Sequence, residues 1–230
     1  MRVIGMLGGM SWESSAEYYR LANELVRERL GGTHSARCLL ASVDFADIEA
    51  LQERGDWDEA ARQLASLAQG LEAGGADLLV LCTNTMHKVA DEVQAAVSIP
   101  LLHLGDVTAQ AVTKAGLDTV GLLGTAYTME QAFYRDRLAD HGLCVLVPDA
   151  PDRAQVHRII YDELCLGVIR EPSRQVYREI IGRLVAAGAQ GIVLGCTEIE
   201  LLVGACDSPV PLFPTTRLHV QAAVDAALAE

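Results

Sequence analysis

The amino-acid sequence predicts an α/β protein made of two related halves. Short β-branched or leucine-rich runs alternate with amphipathic stretches along the whole chain, the pattern of parallel strands joined by helices. One segment also occurs twice: residues 73–85 read AGGADLLVLCTNT and residues 186–198 read AAGAQGIVLGCTE. Aligned without a gap, Ala73, Gly75, Ala76, Val80 and Leu81 recur as Ala186, Gly188, Ala189, Val193 and Leu194. The composition agrees, because half the residues are apolar and only 5% aromatic, an aliphatic balance that suits α/β layers.

Residues 3–7 form the first expected strand, followed by Gly8-Gly9-Met10. A helix is expected over 15–30, with Ser14 and Glu17 at capping-box spacing and Gly31-Gly32 at its end. Residues 38–43 read as a strand, 57–73 as a helix and 77–82 as a buried strand. A helix over 86–96, a short strand over 100–104 and a helix over 108–115 complete the half. The cycle then restarts. Residues 120–123 form a strand ending in Gly124-Thr125, then come a helix over 128–140 and a strand over 144–147. Helices over 153–167 and 173–187, strands over 191–195 and 211–213, and a closing helix over 217–229 follow. Pro100-Leu101-Leu102 is echoed by Pro211-Leu212-Phe213. That shared order, added to the repeated segment, favours duplication over chance. The expected architecture is two pseudo-symmetric Rossmann-like halves, each with a mostly parallel four-stranded sheet. Residues 1–115, with the closing helix 217–230 crossing back to cover them, make the first half; residues 116–216 make the second.

A chain of 230 residues suits one large domain or two small ones. The net charge of −13 repels nucleic acid and anionic membrane, so neither is an expected partner. No apolar run is long enough to span a bilayer. The opening MRVIGMLGG enters a strand-like run without the layout of a signal peptide, so a cytoplasmic location is expected. The cysteines at 38, 82, 144, 165, 196 and 206 show no CxxC and no zinc-type spacing. No metal site is expected, and most of them are expected to be buried, reduced and inert.

In parallel sheets, ligands bind beyond the carboxyl ends of the strands. Four segments are expected there: Gly8-Gly9-Met10, Thr83-Asn84-Thr85, Gly124-Thr125 and Cys196-Thr197-Glu198. Pseudo-symmetry would face them across a cleft between the halves. Hydroxyls, amides and backbone N–H groups at helix starts bind carboxylates well. With no lysine at P-loop spacing, nucleotide phosphate is a poor candidate. Cys196 follows the glycine that ends its strand and precedes a helix start, where a thiol has a lowered pKa. The ordinary fate of a cysteine is burial in a core. The coincidence of strand end, glycine and helix start favours the functional reading for Cys196 and not for Cys38, Cys144, Cys165 or Cys206.

Register then decides which residue answers Cys196. Side chains alternate along a strand, so a one-residue slip reverses what faces the ligand. The ungapped match sets Thr83 opposite Cys196. A gapped match would pair Cys82 with Cys196, at the cost of an insertion inside a central strand. The ungapped match is preferred, which leaves Cys82 opposite Gly195 and buried.

The opening IGMLGGMSWES, the segment Thr83-Asn84-Thr85-Met86-His87 and the segment Gly195-Cys196-Thr197-Glu198 resemble the aspartate/glutamate racemase family, over the whole chain. The resemblance implies amino-acid racemisation without pyridoxal phosphate or another cofactor, a small amino-acid substrate and a homodimer. Family members carry Cys-Asn-Thr-x-His in the first half and Gly-Cys-Thr-Glu in the second. One cysteine removes the α-proton and the other protonates the opposite face. Here Thr83 stands at the first cysteine's position, which is most similar to the subgroup specific for L-aspartate and L-glutamate. Inversion requires a base on one face and an acid on the other. Cys196 as thiolate is a competent base. A threonine hydroxyl donates a proton but hardly abstracts one, so the reaction is expected to start from the L-enantiomer.

The resemblance also implies that Met10 and Gln52 line the substrate site, although core packing is an equal reading for Met10. Asn84, Thr85 and Thr197 are expected to hold the α-carboxylate, although Asn84 and Thr85 would also suit helix capping. Thr125 either binds substrate or finishes a turn. Glu198 either holds Cys196 or a water, or is a helix-start carboxylate. His87 is expected on the helix surface or behind the site. Acid-specific members use an arginine near the second strand and a lysine in the second half. This chain has Asp47-Ile48-Glu49 and Tyr161-Asp162-Glu163-Leu164-Cys165 there, with Arg54 as a substitute cation. A broad-specificity racemase for neutral or basic amino acids, and a non-catalytic amino-acid-binding protein, are the alternatives.

Overall fold

Strand β1 (Ile4–Gly8) is buried at every residue, as a strand covered on both faces must be. Its residues alternate between two cores: Ile4 and Met6 enter one, and Leu7 the other. The computed structural model, which describes residues 1–229, continues with helix α1 (Trp12–Leu30). Ser11 caps it, its side chain accepting from the Ser14 N–H at 3.3 Å. The helix thus starts earlier than expected, and Ser14 lies inside it rather than at its cap. Gly31 ends it by donating its N–H to the Arg27 carbonyl.

Strand β2 (Cys38–Ser42) leads to a helix the sequence did not suggest, α2 (Phe45–Arg54). Its buried apolar residues Ile48 and Leu51 are too few to show a period, so only the Asp44 cap and the left-handed Gly55 announce it. Helix α3 (Trp57–Ala73) has the expected bounds, and strand β3 (Leu78–Leu81) follows. The helix expected over 86–96 is a 3-10 turn, Thr85–Val89, running into α4 (Ala90–Ala95). Helix α5 (Leu104–Lys114) comes next.

The first sheet has the order β2-β1-β3, wholly parallel. It has three strands where four were expected. The segment over 100–104 makes one parallel bridge, Leu101 to Leu79. Leu79 donates to the Pro100 carbonyl and Leu102 to the Leu79 carbonyl. Pro100 has no N–H to offer, and Leu104 already begins α5, so the ladder stops there.

The second sheet keeps all four expected strands, β4 (Thr119–Gly124), β5 (Cys144–Leu146), β6 (Gly191–Gly195) and β7 (Leu212–Pro214), in the parallel order β5-β4-β6-β7. Between β4 and β5 the single helix expected over 128–140 is broken into α6 (Ala126–Glu130) and α7 (Ala132–Ala139) by Gln131, whose backbone is extended. Helix α8 (Ala150–Asp162), capped by Asp149, starts and ends earlier than expected and gives way to a 3-10 turn, Leu164–Leu166. Helix α9 (Glu171–Ala186), the short α10 (Ile199–Leu202) and the closing α11 (Thr215–Leu228) complete the chain.

Contacts group the residues into two units, Met1–Leu104 with the chain from His219 onward, and Gly105–Leu218. In the first unit, Val220, Ala223, Val224 and Ala227 of α11 pack with Ile4, Met6, Leu78 and Val80, so the closing helix covers one face of the first sheet. Arg2 N–H donates to the Ala227 carbonyl at 2.8 Å. The other face is covered by α2, α3 and α4 through Ile48, Leu51, Leu64, Ala68 and Val93. In the second unit, α8 and α9 cover one face of the sheet through Val156, Ile159, Tyr177, Ile180 and Leu184, packed on Ile192 and Leu194. Among the described residues, no helix is long and apolar enough to cross a membrane.

Candidate active site

The two sheets place Thr83 and Cys196 at the same position of the fold. In the first, Leu7 pairs with Leu81, so the next rung sets Gly8 beside Cys82. In the second, Gly124 pairs with Gly195. The residue after Cys82 is Thr83, and the residue after Gly195 is Cys196. Alternation says the same. Leu78, Val80 and Cys82 face the core under α1 and α11, while Leu79 and Leu81 face the other. Ile192, Leu194 and Cys196 share one core in their own unit. Cys82 is thus turned away from the side that Thr83 continues, and it is wholly buried with its thiol pKa raised by burial.

Within the first unit, Met10, Gln52, Thr83, Asn84 and Thr85 are all buried. The turn that delivers Met10 is tightly packed. Gly9 has φ +90, and a Cβ there would lie 2.3 Å from the Val43 carbonyl oxygen. Its N–H donates to Ser15 Oγ at 2.7 Å, which donates in turn to the Ser11 carbonyl. Gln52, delivered by the unexpected helix α2, places Nε2 3.1 Å from Met86 Sδ. Its buried Oε1 accepts from none of the described residues. Met10 and Met86 belong to the same apolar cluster, so the packing reading of Met10 holds whatever else it does. Asn84 makes no capping bond through its side chain. Arg54 is exposed at the end of α2. Lys88 lies 3.9 Å from the Trp57 ring centre, engaged in a cation–π contact. His87 is buried rather than on a helix surface, with Nδ1 2.8 Å from the Thr83 carbonyl oxygen. The spacing of the motif did not show this, because the turn at 85–89 is 3-10 and not α.

Within the second unit, Cys196, Thr197 and Glu198 are buried at the end of β6. The Cys196 thiol donates to Glu198 Oε2 at 2.9 Å. This corrects the expectation of a lowered thiol pKa. Burial first, then the adjacent carboxylate, pushes Cys196 well above the usual 9.0. The helix that was to lower it, α10, is a single turn, too short to supply much dipole. Glu198 therefore does more than open a helix: its carboxylate accepts the hydrogen bond of the Cys196 thiol. Tyr177, which the sequence did not single out, is fully buried in the cluster that holds Cys196. Thr125 caps α6, its hydroxyl accepting from the Thr128 N–H.

The chain as a whole is matched by known proteins. The profile of the Asp/Glu/hydantoin racemase family matches residues 7–223. The chain belongs to this family. It is 55% identical to a provisionally named Asp/Glu racemase from Yersinia pestis, whose crystal structure superposes with a TM-score of 0.94 over 100% of both chains. An aspartate racemase homologue from Pyrococcus horikoshii OT3 is 32% identical over 100% of both chains, with a TM-score of 0.88. The broad-specificity amino-acid racemase RacX of Bacillus subtilis is 23% identical over 232 residues, covering 99% of each chain. The racemase family, and with it the isomerase class, is thus established, while its members differ in what they invert.

Proposed function

We propose that the protein is a cofactor-independent racemase that inverts the α-carbon of L-aspartate or L-glutamate, with Cys196 as base and Thr83 as acid. The observation that carries the reading is the equivalent strand-end placement of these two residues in a member of a racemase family. Cys196 passes its thiol proton to Glu198, and the thiolate takes the α-proton of the L-substrate. The Thr83 hydroxyl protonates the opposite face, and the cycle closes as Glu198 gives its proton to solvent and the Thr83 alkoxide takes one from it. Racemisation by a thiolate needs the developing carbanion to be stabilised, and hydrogen bonds from Asn84, Thr85 and Thr197 to the α-carboxylate serve that end. Gln52 Oε1, a buried acceptor, suits the substrate ammonium.

Acidic substrates are favoured by the 55% identity to the Yersinia pestis protein. A second reading, broad specificity, rests on the likeness to the Bacillus subtilis enzyme and on the exposure of Arg54. One experiment separates them: ¹H NMR of α-proton washout in D₂O across L- and D-aspartate, L- and D-glutamate and neutral L-amino acids. Washout fastest for the acidic L-substrates is expected. Equal rates across the panel would select broad specificity, and binding without washout would leave an amino-acid-binding protein.

A further inference from the structure

His87 is the motif residue to which the proposed reaction gives no task. It is 3% exposed, and both of its ring nitrogens are engaged. Nδ1 lies 2.8 Å from the Thr83 carbonyl oxygen, and Nε2 lies 3.1 Å from the Leu104 backbone nitrogen. These partners fix the tautomer. An amide N–H only donates, so Nε2 carries no proton; a carbonyl only accepts, so Nδ1 carries the single ring proton. His87 is neutral, and it ties the end of β3 to the first residue of α5.

The surroundings keep it so. Burial first, then the neighbouring His103 and His219, hold its pKa well below 6.5. The ring centres are 4.8 and 5.7 Å away. His219 is fixed in the same manner, with Nε2 donating to the Leu102 carbonyl at 2.8 Å and Nδ1 accepting from the Tyr18 hydroxyl at 2.9 Å. The two histidines grip the segment 102–104 from either end, one by its amide and one by its carbonyl. These hydrogen bonds make the group a clamp on the segment 102–104.

We propose that His87 is a positioning residue for Thr83. Its Nδ1–H pins the Thr83 carbonyl, which sets the backbone of the residue that carries the proton-donating hydroxyl. Proton transfer to carbon tolerates little displacement, and a misplacement of about 1 Å costs on the order of a hundredfold in rate. The inference rests on the reading of Thr83 as the acid. A displaced Thr83 leaves Cys196 able to remove the α-proton and return a deuteron to the same face, so exchange persists while inversion fails.

The test measures a ratio: D-product formed over deuterium gained at the α-carbon of the remaining L-substrate, for L-aspartate and L-glutamate in D₂O. The ratio is independent of how much of a variant is folded. The amide nitrogen of Asn reaches the place of His Nδ1, and the amide of Gln reaches that of Nε2. His87→Asn therefore keeps the donor to Thr83, and His87→Gln keeps the acceptor for Leu104. His87→Gln is expected to lower the ratio at least about tenfold, as Thr83→Ala does, with His87→Asn staying within about threefold of the parent. A ratio unchanged in His87→Gln, or lowered equally in both His87 variants, would overturn the inference while Thr83→Ala still lowers it. If Thr83→Ala leaves the ratio unchanged, the reading of Thr83 as the acid fails, and the positioning role with it.

Discussion

At the scale of single residues, the proposed chemistry turns on Cys196 and on Glu198, which accepts its hydrogen bond. A buried thiol beside a carboxylate resists ionisation, because burial and the neighbouring negative charge both penalise the thiolate. The same carboxylate accepts the thiol proton at 2.9 Å. These two effects of Glu198 separate on substitution. Glu198→Gln removes a negative charge, so the thiol pKa of Cys196 is expected to fall, read as iodoacetamide reactivity against pH. Turnover is expected to fall with it, by about a hundredfold, since the proton acceptor is gone. A variant with a raised thiol pKa, or with full turnover, would separate Glu198 from the thiol. The sequence showed the Gly-Cys-Thr-Glu motif but misjudged its electrostatics, because burial is a property of neighbours distant in the chain.

At the scale of elements, two features govern stability. The first is the turn after β1. Gly9 at φ +90 leaves no room for a Cβ against Val43. Gly9→Ala combines a disfavoured backbone with a backbone clash, and a loss of more than about 2 kcal/mol in urea unfolding is expected. The second is the histidine clamp. The folded pKa of His219 drops to about 4 and that of His87 lies well below 6.5. A base whose folded pKa is depressed contributes stability above its unfolded pKa and loses it as pH falls. Between about pH 6.5 and pH 4 the unfolded chain binds more protons, so stability falls with pH. His219 by itself accounts for on the order of 3 kcal/mol across that window. Calorimetric melts at pH 7 and pH 5 should show the drop, and His219→Asn should lessen it; an equal drop in both proteins would remove His219 as its source. Elements with long periodic patterns, such as α3 and β6, were legible in the sequence. Helix α2 was not, since its register is set by two buried apolar residues and its caps. The edge of the first sheet was misread because Pro100 and the early start of α5 cut its ladder to a single bridge.

At the scale of the whole molecule, the duplicated α/β unit gives one proton-transfer position per half, and the two copies differ in acidity. Under the proposed function, a thiol in the second half and a hydroxyl in the first would make the reaction directional. Thr83→Cys restores two thiols, and activity starting from the D-enantiomer is expected to appear, followed by circular dichroism of D-glutamate. Its absence would show that Thr83 does not stand against the substrate.

The sequence by itself determined the α/β class, the duplication and the register that matches Thr83 with Cys196, because all three rest on local periodicity and on order along the chain. Tertiary structure decided the rest: a raised rather than lowered thiol pKa at Cys196, the neutral tautomer of His87, the helix that carries Gln52, and the loss of a fourth strand from the first sheet. The thiol pKa and the tautomer depend on burial and on hydrogen-bond partners that spacing does not show, while the helix and the lost strand turn on weak local signals, two buried apolar residues with caps and a single proline, that periodicity does not register.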